Sequence, residues 1–475
     1  AGPGRGDGPL HHLFPLAGTP GGGGSAAVQG TKKAHKGRAG LLFGAGYAKM
    51  TYNCHPARKK RRKRPTAGGE SVMKFVAILG LGVVGRGTAD LFRENAAGIA
   101  KRLGEDVRVK YALDIRDMPE SPYADLIVHS IDVITGDPEI SVVAELMGGL
   151  HPAYEYTKAC LTAGKSVVSS NKELVATYGV ELLALAKEKG VRYLFEASTG
   201  GAIPVISPLV TDLAANEVTG IAGILNGTTN YILTRMFRAG ATFEGALTEA
   251  QQKGYAERNP AADVEGIDAC RKICILAAGA TGILPDATRV HTEGITAIRQ
   301  RDVRTAEANG YTVRLLGRLD ICPFGTFVLV APFLVPTSCP LSTVEDVFNA
   351  VLVRCNYAGD VMFYGRGAGS HPTASAVAAD ILSVFRGDAK QQTWVAGDEG
   401  YPTDFRLFRA RRYLALTGVD RNAARVVWSD AEILDEGGDE LTLLTPEISE
   451  QEFADDIARL TPLGARLQAH LRVYD

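Results

Sequence analysis

The sequence predicts an α/β protein: a parallel sheet clothed by helices, then an α+β region, then a small α+β module at the C-terminal end. Three observations carry this reading. A short apolar strand, KFVAILG, runs through a glycine turn into TADLFRENAAGIAKRLG, whose apolar residues recur at helical spacing. Strand-like and helical stretches then alternate as far as about Gly200, the pattern of parallel strands joined by helical crossovers. Beyond that point the texture changes to long helical patterns joined to a few long strands.

In chain order, residues 1–72 come first. They contain GGGG, end in ARKKRRKRP, and hold 13 Lys and Arg against Asp7 and Glu70. Such a composition buries no core, so a disordered basic leader is expected. Two readings of RKKRRKR stay open: a nuclear or nucleic-acid signal, and a translated upstream leader, since Met73 stands directly before the first strand. Further strands are expected at VRVKYALDI, LIVHSI, SVVAELMG, SVVSS and VRYLFEAS, with helices at YEYTKACLTAG and KELVATYGVELLALAKEKG. These fill a first domain over residues 73–205. A second domain over 206–387 holds helices at GALTEAQQKGYAE and GIDACRKICILAAGATG and strands at GYTVRLLGRLD and TFVLVAPFLVP. In a last module, 400–475, the stretches RRYLALTGVD, ARVVWSDAEIL and LTLLTPE read as strands and SEQEFADDIARL as a helix.

Composition excludes several classes. At 475 residues and 45% hydrophobic content, the chain can bury two or three cores. The net charge of −1 hides an acidic body, with 39 basic and 51 acidic residues beyond position 72. A basic face for nucleic acid is therefore not expected on the folded part. Seven cysteines without a CxxC pair argue against a disulfide framework and a structural zinc site, and suit a reducing, cytoplasmic compartment. No run of about 18 apolar residues is present, so no spanning helix is expected.

The turn GLGVVG sets Gly80, Gly82 and Gly85 between a strand and a helix. A dinucleotide needs glycine there for the tight turn, for close approach of pyrophosphate to the backbone, and for packing of helix on strand, while the helix N-terminus offers N–H groups to phosphate. A Rossmann-type domain follows, with Val83 and Val84 in the same turn. At the end of the second strand, LDIRD offers both Asp114, suited to a free ribose hydroxyl, and Arg116, suited to a 2′-phosphate. The choice between NAD and NADP stays open.

GYAERNPAADVEGIDACRK gathers Glu257, Asp263, Asp268 and Lys272 around the start of a helix. On a helical wheel, Cys270 and Cys274 lie on the packing side and Asp268 and Lys272 on the outward flank. An exposed pair of that spacing is common; acids crowding one helix end call in addition for a cation, either Lys272 or the ammonium of a small amino-acid substrate. Lys172, in SSNKELVA, follows a strand end where open α/β sheets hold their ligands.

Taken together, GLGVVG, VAELMGG, SSNKELVA, EASTGGAIP, NGTTNYILTRM, GYAERNPAADVEGIDACRK and FYGRGAGSHPTASAV resemble the homoserine dehydrogenases, over about Met73 to Leu382. The resemblance implies NAD(P)-dependent interconversion of L-homoserine and L-aspartate 4-semialdehyde, on the shared route to threonine and methionine. It also implies a homodimer or homotetramer. Carried over by position, Lys272 is the proton donor, Asp268 binds substrate and orients that lysine, Glu257 and Asp263 contact substrate, and Lys172 lies between nicotinamide and substrate. EASTGGAIP resembles the family's sodium site, with Glu196, Thr199, Gly201 and Ile203 around the ion. Asn259 departs from the family, which has an acid before the proline. The C-terminal module resembles a short, degenerate ACT-type domain, for which threonine is a candidate effector. A catalytically idle dinucleotide-binding regulator of the same fold is the alternative, distinguished by loss of Glu257, Asp268, Lys172 or Lys272; all four are present.

Overall fold

The structure, a computed structural model, describes residues 73–435 and 438–475; the basic leader expected over 1–72 lies outside them. The first sheet has six strands, β1 (Met73–Leu79), β2 (Asp106–Leu113), β3 (Ile127–Val128), β4 (Ile140–Glu145), β5 (Ser166–Ser169) and β6 (Tyr193–Leu194). Every pairing is parallel, and the order is β3-β2-β1-β4-β5-β6. Strand order reverses between β1 and β4, which opens a crevice at their C-terminal ends. Central β1 is covered on both faces, so Val76, Ala77, Ile78 and Leu79 have no solvent exposure. The strands expected at LIVHSI and VRYLFEAS shrink to two residues each because they are the sheet's edges, where long unpaired strands are a liability.

Helix α1 (Val83–Glu94) leaves the glycine turn, and a further helix, Ala96–Leu103, closes with Gly104 at φ +84°. That extra helix lengthens the first crossover, which is why Asp114 stands further along the chain than the usual spacing. Helix α2 (Lys172–Glu188) follows β5.

The second sheet runs through β7 (Val218–Ile224), the long hairpin β8 (Tyr311–Cys322) and β9 (Gly325–Pro336), and the hairpin β10 (Phe348–Cys355) and β11 (Gly359–Arg366). Helix α3 (Gly227–Ala239) and helix α4 (Ile267–Thr281) lie against it. Helix α5 (Ser370–Arg386), inside the range read as the second domain, instead covers the first sheet: Ala376, Val377 and Ile381 share a core with Val76 and Ile78. Its close approach to α1 needs Gly87, where a Cβ would meet Ser370 Oγ at 2.4 Å.

The C-terminal module has strands β12 (Arg412–Thr417), β13 (Glu432–Asp435), β14 (Glu440–Leu444) and β15 (Arg466–Val473). It does not stand apart. β15 pairs in parallel with β9 through Phe333 with Arg472 and Leu334 with Val473, so the second sheet continues into the module with ten strands in all. Leu471 and Val473, buried in the core shared with α4, hold that edge in place. ARVVW, read as strand, is the end of a helix, Arg421–Val427; Asp420 caps it by accepting from the Ala423 N–H, and Ala424 and Trp428 turn inward one helical turn apart.

Candidate functional site

At the crevice, the glycine turn is shaped by contacts only glycine permits. Gly80 has φ +92°, and a Cβ on Gly85 would lie 2.1 Å from the Gly80 carbonyl oxygen, whereas one on Gly82 would meet open space. The turn therefore presents bare backbone and the N-terminus of α1 to the crevice, which fits a pyrophosphate. Val83 opens α1 and is 72% exposed, and Val84 packs partly buried beneath it. The two residues that compete in the sequence turn out to be partners: Arg116 donates Nε to Asp114 Oδ1 and Nη2 to Oδ2, both at 2.9 Å. Asp114 also accepts the Leu81 N–H at 3.0 Å, and the Arg116 guanidinium holds its carboxyl down at about 2. Both side chains thus stand just past the C-terminal end of β2, beside the glycine turn.

Lys172 is positioned by a network that the sequence does not announce. Glu145, wholly buried at the end of β4, accepts from Ser169 Oγ at 2.5 Å and from the Met147 N–H at 2.9 Å. Ser169 Oγ accepts the Asn171 N–H at 3.0 Å, Asn171 Nδ2 donates to the Gly149 carbonyl at 2.7 Å, and Asn171 Oδ1 caps α2 on the Leu174 N–H at 3.1 Å. Burial pushes the Glu145 carboxyl up to about 7, against these donors. The one available signal was an acid inside the apolar run VVAELM.

Across the gap lies α4. Its wheel was expected to turn Asp268 and Lys272 outward, yet both are buried, at 4% and 7% exposure, together with Cys270 and Cys274. The reason is that α4 is enclosed: β8 and β9 cover one side and α2 of the first domain reaches the other. Lys272 Nζ donates to the Leu225 carbonyl at 2.7 Å and forms an ion pair with Asp268 Oδ2 at 2.8 Å. Lys172 Nζ, from α2 beside the first sheet, forms an ion pair with the second oxygen, Asp268 Oδ1, off the hydrogen-bonding axis. Asn226, in the NGTTN stretch, caps α3 and donates Nδ2 to both Asp263 Oδ1 at 2.7 Å and Asp268 Oδ2 at 2.9 Å. It ties the two acids together. These residues line a cavity of about 600 Å³ with Glu257, Arg271 and the loop Arg366–Gly369. Glu257 is exposed there, and Asn259 lines the same wall.

The electrostatics follow from burial and from two ammonium groups sharing one carboxylate. Burial would raise the Asp268 pKa, but Lys272 and Lys172 outweigh it and hold the carboxyl well below the usual range. Burial pushes the Lys272 ammonium below the ordinary value of 10.5; Asp268 opposes this and Lys172 adds to it. Desolvation thus outweighs a single shared carboxylate. Burial also raises Asp263. An ammonium has three N–H donors. On Lys272 one is engaged by the Leu225 carbonyl and the ammonium faces Asp268 as an ion pair, which leaves a donor for a ligand oxygen.

In the EASTGGAIP loop, the Glu196 carboxylate accepts the backbone N–H groups of Val205, Ile206 and Ser207 at 2.6, 2.9 and 2.6 Å. Both its oxygens serve the chain, so a cation beside EASTGGAIP would have to be held by backbone carbonyls. Thr199, Gly201 and Ile203 lie in the same buried loop, where a Cβ on Gly201 would meet Gly367 at 2.4 Å. Among the described residues, no group of three or more His, Cys, Asp or Glu is placed to hold a metal, and no helix is long and apolar enough to cross a membrane.

A doubly wound sheet with a phosphate-fitting turn at its switch point, facing a buried lysine whose proton is loosened, defines a nicotinamide-dependent oxidoreductase acting on a small molecule. Comparison with known proteins narrows the class. The family model described as homoserine dehydrogenase matches residues 204–382, and that described as homoserine dehydrogenase, NAD binding domain, matches residues 80–196. The homoserine dehydrogenase of Pseudomonas aeruginosa is 43% identical over 312 residues, 66% of this chain and 72% of that protein. That of Bacillus subtilis is 39% identical over 315 residues, 66% of this chain and 72% of that protein. Among solved structures, a homoserine dehydrogenase from Thiobacillus denitrificans superposes with TM-score 0.79 and 36% identity, covering 86% of this chain and all of that one. A hyperthermophilic archaeal homoserine dehydrogenase in complex with NADPH does so with TM-score 0.58 and 27% identity, covering 67% of this chain and all of that one. This chain belongs to the homoserine dehydrogenase family of oxidoreductases.

Proposed function

We propose that the chain interconverts L-homoserine and L-aspartate 4-semialdehyde in the cavity between its two sheets, with NAD or NADP on the glycine turn. The observation that carries this reading is the contact of Lys172 and Lys272, from different domains, with the one buried carboxylate of Asp268. When bound, the nicotinamide supplies or accepts the hydride. The remaining N–H of Lys272 reaches the substrate oxygen, polarises the aldehyde carbonyl during reduction and gives it a proton. In oxidation the same amine takes the hydroxyl proton, which its lowered pKa favours. Asp268 orients Lys272 and steadies Lys172, which faces the gap between nicotinamide and substrate. Glu257 binds the substrate ammonium; Asp263, tied to Asp268 through Asn226, completes that wall.

Arg116 is the group a 2′-phosphate would meet and Asp114 the group a free ribose hydroxyl would meet, with Gly80, Gly82, Val83, Val84 and Gly85 under the pyrophosphate. We further assign a monovalent cation such as sodium to the backbone carbonyls of Glu196, Thr199, Gly201 and Ile203, a homodimer or homotetramer as the working form, threonine as the ligand of the terminal module, and the cytoplasm as the compartment, for which the six free cysteines among the described residues speak. The domain division at about residue 205, with α5 reaching back to the first sheet, belongs to the same proposal.

The test is homoserine oxidation with NAD and with NADP, in wild type and Lys272→Ala. Turnover should fall by about a thousandfold or more with nucleotide affinity retained. An equally active variant removes Lys272 from this role.

A further inference from the structure

We propose that Glu173 and Arg271 form a latch that sets the register between the two domains and so places Lys172 against Asp268; this rests on reading the two lysines and Asp268 as the reaction centre. Arg271 Nη2 donates to Glu173 Oε1 at 2.8 Å across the domain gap, and the two side chains are 30% and 32% exposed. Glu173 follows Lys172 in the first turn of α2; Arg271 stands one turn beyond Asp268 in α4, on the same face.

Two helix N-termini therefore face each other, an arrangement their dipoles oppose, and each carries an acid in its first turn, Glu173 and Asp268. Dipole compensation alone would explain both acids. It does not explain the cations. Lys172 meets Asp268, and Glu173 meets Arg271. A slip that exchanged partners would set Lys172 against Arg271 and Glu173 against Asp268, like against like, so this alternation of signs admits one register. A half-exposed ion pair contributes little stability by itself, which makes alignment its better explanation. The start of α2 is already fixed from below by Glu145, Ser169 and Asn171, so the latch has a firm anchor on that side. Arg271 and Glu173 are positioning residues: they act through Lys172 and Asp268.

The experiment is a double-mutant cycle on the full chain, with Glu173→Gln, Arg271→Gln and both together, reading kcat and KM for homoserine at saturating nucleotide, nucleotide Kd and thermal midpoint. Each single change should lower kcat about tenfold, since small misalignments of reacting groups are costly, with nucleotide Kd unchanged. The double variant should be no worse than the poorer single, and Arg271→Lys should keep most of the activity. Wild-type kcat in the singles, effects that multiply in the double, or losses explained wholly by a smaller folded fraction would each overturn the latch. Lys272→Ala in the same assay separates the readings. If it turns over normally, the reaction centre is misassigned and the latch falls with it; if it is inactive while the cycle shows no coupling, the latch alone fails.

Discussion

Two buried charge clusters in this chain are built from similar parts and behave differently. At the proposed reaction centre, two ammonium groups contact a single carboxylate, and both line a cavity of about 600 Å³. Where the terminal module joins the main sheet, Arg472 is gripped by Glu293 at 2.8 Å and by Glu450 at 2.7 Å, and Arg412 approaches Glu450 at 2.8 Å while its guanidinium lies 4.8 Å from the Phe453 ring. There two guanidinium groups face two carboxylates. Arg412 meets its acid off the hydrogen-bonding axis, so that contact is Coulombic and its ring contact supplies the rest. Arg472 is held above its ordinary pKa and Glu293 well below its own, while burial lowers Arg412 against the pull of Glu450. Lys272, by contrast, is pushed toward neutrality. A matched cluster braces; an undermatched one beside a cavity keeps a proton available for exchange.

The sharpest way to break this contrast is to unbalance the brace. Arg472→Met removes a buried cation from the partly buried Glu293 and Glu450, and should lower stability by about 3–5 kcal/mol in urea unfolding. Turnover per folded molecule should stay near wild type; a large fall in it would make the brace part of the site.

Glu145 is the intermediate case, a buried acid with hydrogen-bond donors and no cation. Its folded pKa of about 7 lies above the ordinary 4.5, so its proton is bound more tightly in the folded chain. Stability from this group is present below pH 4.5 and is lost as pH rises to about 7, by roughly 3 kcal/mol. Glu145→Gln should flatten that slope relative to wild type; parallel pH–stability curves would refute the assignment.

Smaller still, if Glu257 binds the substrate ammonium as proposed, Glu257→Gln should cost about 1.5–3 kcal/mol, on the order of 10- to 100-fold in KM for homoserine. A change confined to kcat would place Glu257 elsewhere in the reaction.

Much of this was legible before any coordinates. The glycine turn, the alternation of strands and helices, and the residues Lys172, Glu257, Asp263, Asp268 and Lys272 are local in sequence, because a turn or a helix start is decided by neighbours. What stayed hidden depends on distant chain. The wheel turned Asp268 outward because it could not know that α2 closes over that flank. Glu145 and Asn226 were passed over since their partners are other residues' hydroxyl, amide and carboxylate groups. The pairing of Asp114 with Arg116 replaced a choice with a couple. The strand β15 was expected in a separate module because nothing near Arg472 reveals Phe333, more than a hundred residues away, as its neighbour.

The central claim is that Lys272 exchanges a proton with the substrate oxygen from an undermatched cluster, and the pH profile of homoserine oxidation in wild type and Lys272→Arg tests it most directly. Wild-type turnover should rise with pH along a limb lying below 10.5, as the amine loses its proton. The arginine variant should bind nucleotide normally and lose turnover at every pH, because a guanidinium cannot take up the proton. A variant that turns over at the wild-type rate along the same limb would contradict the account.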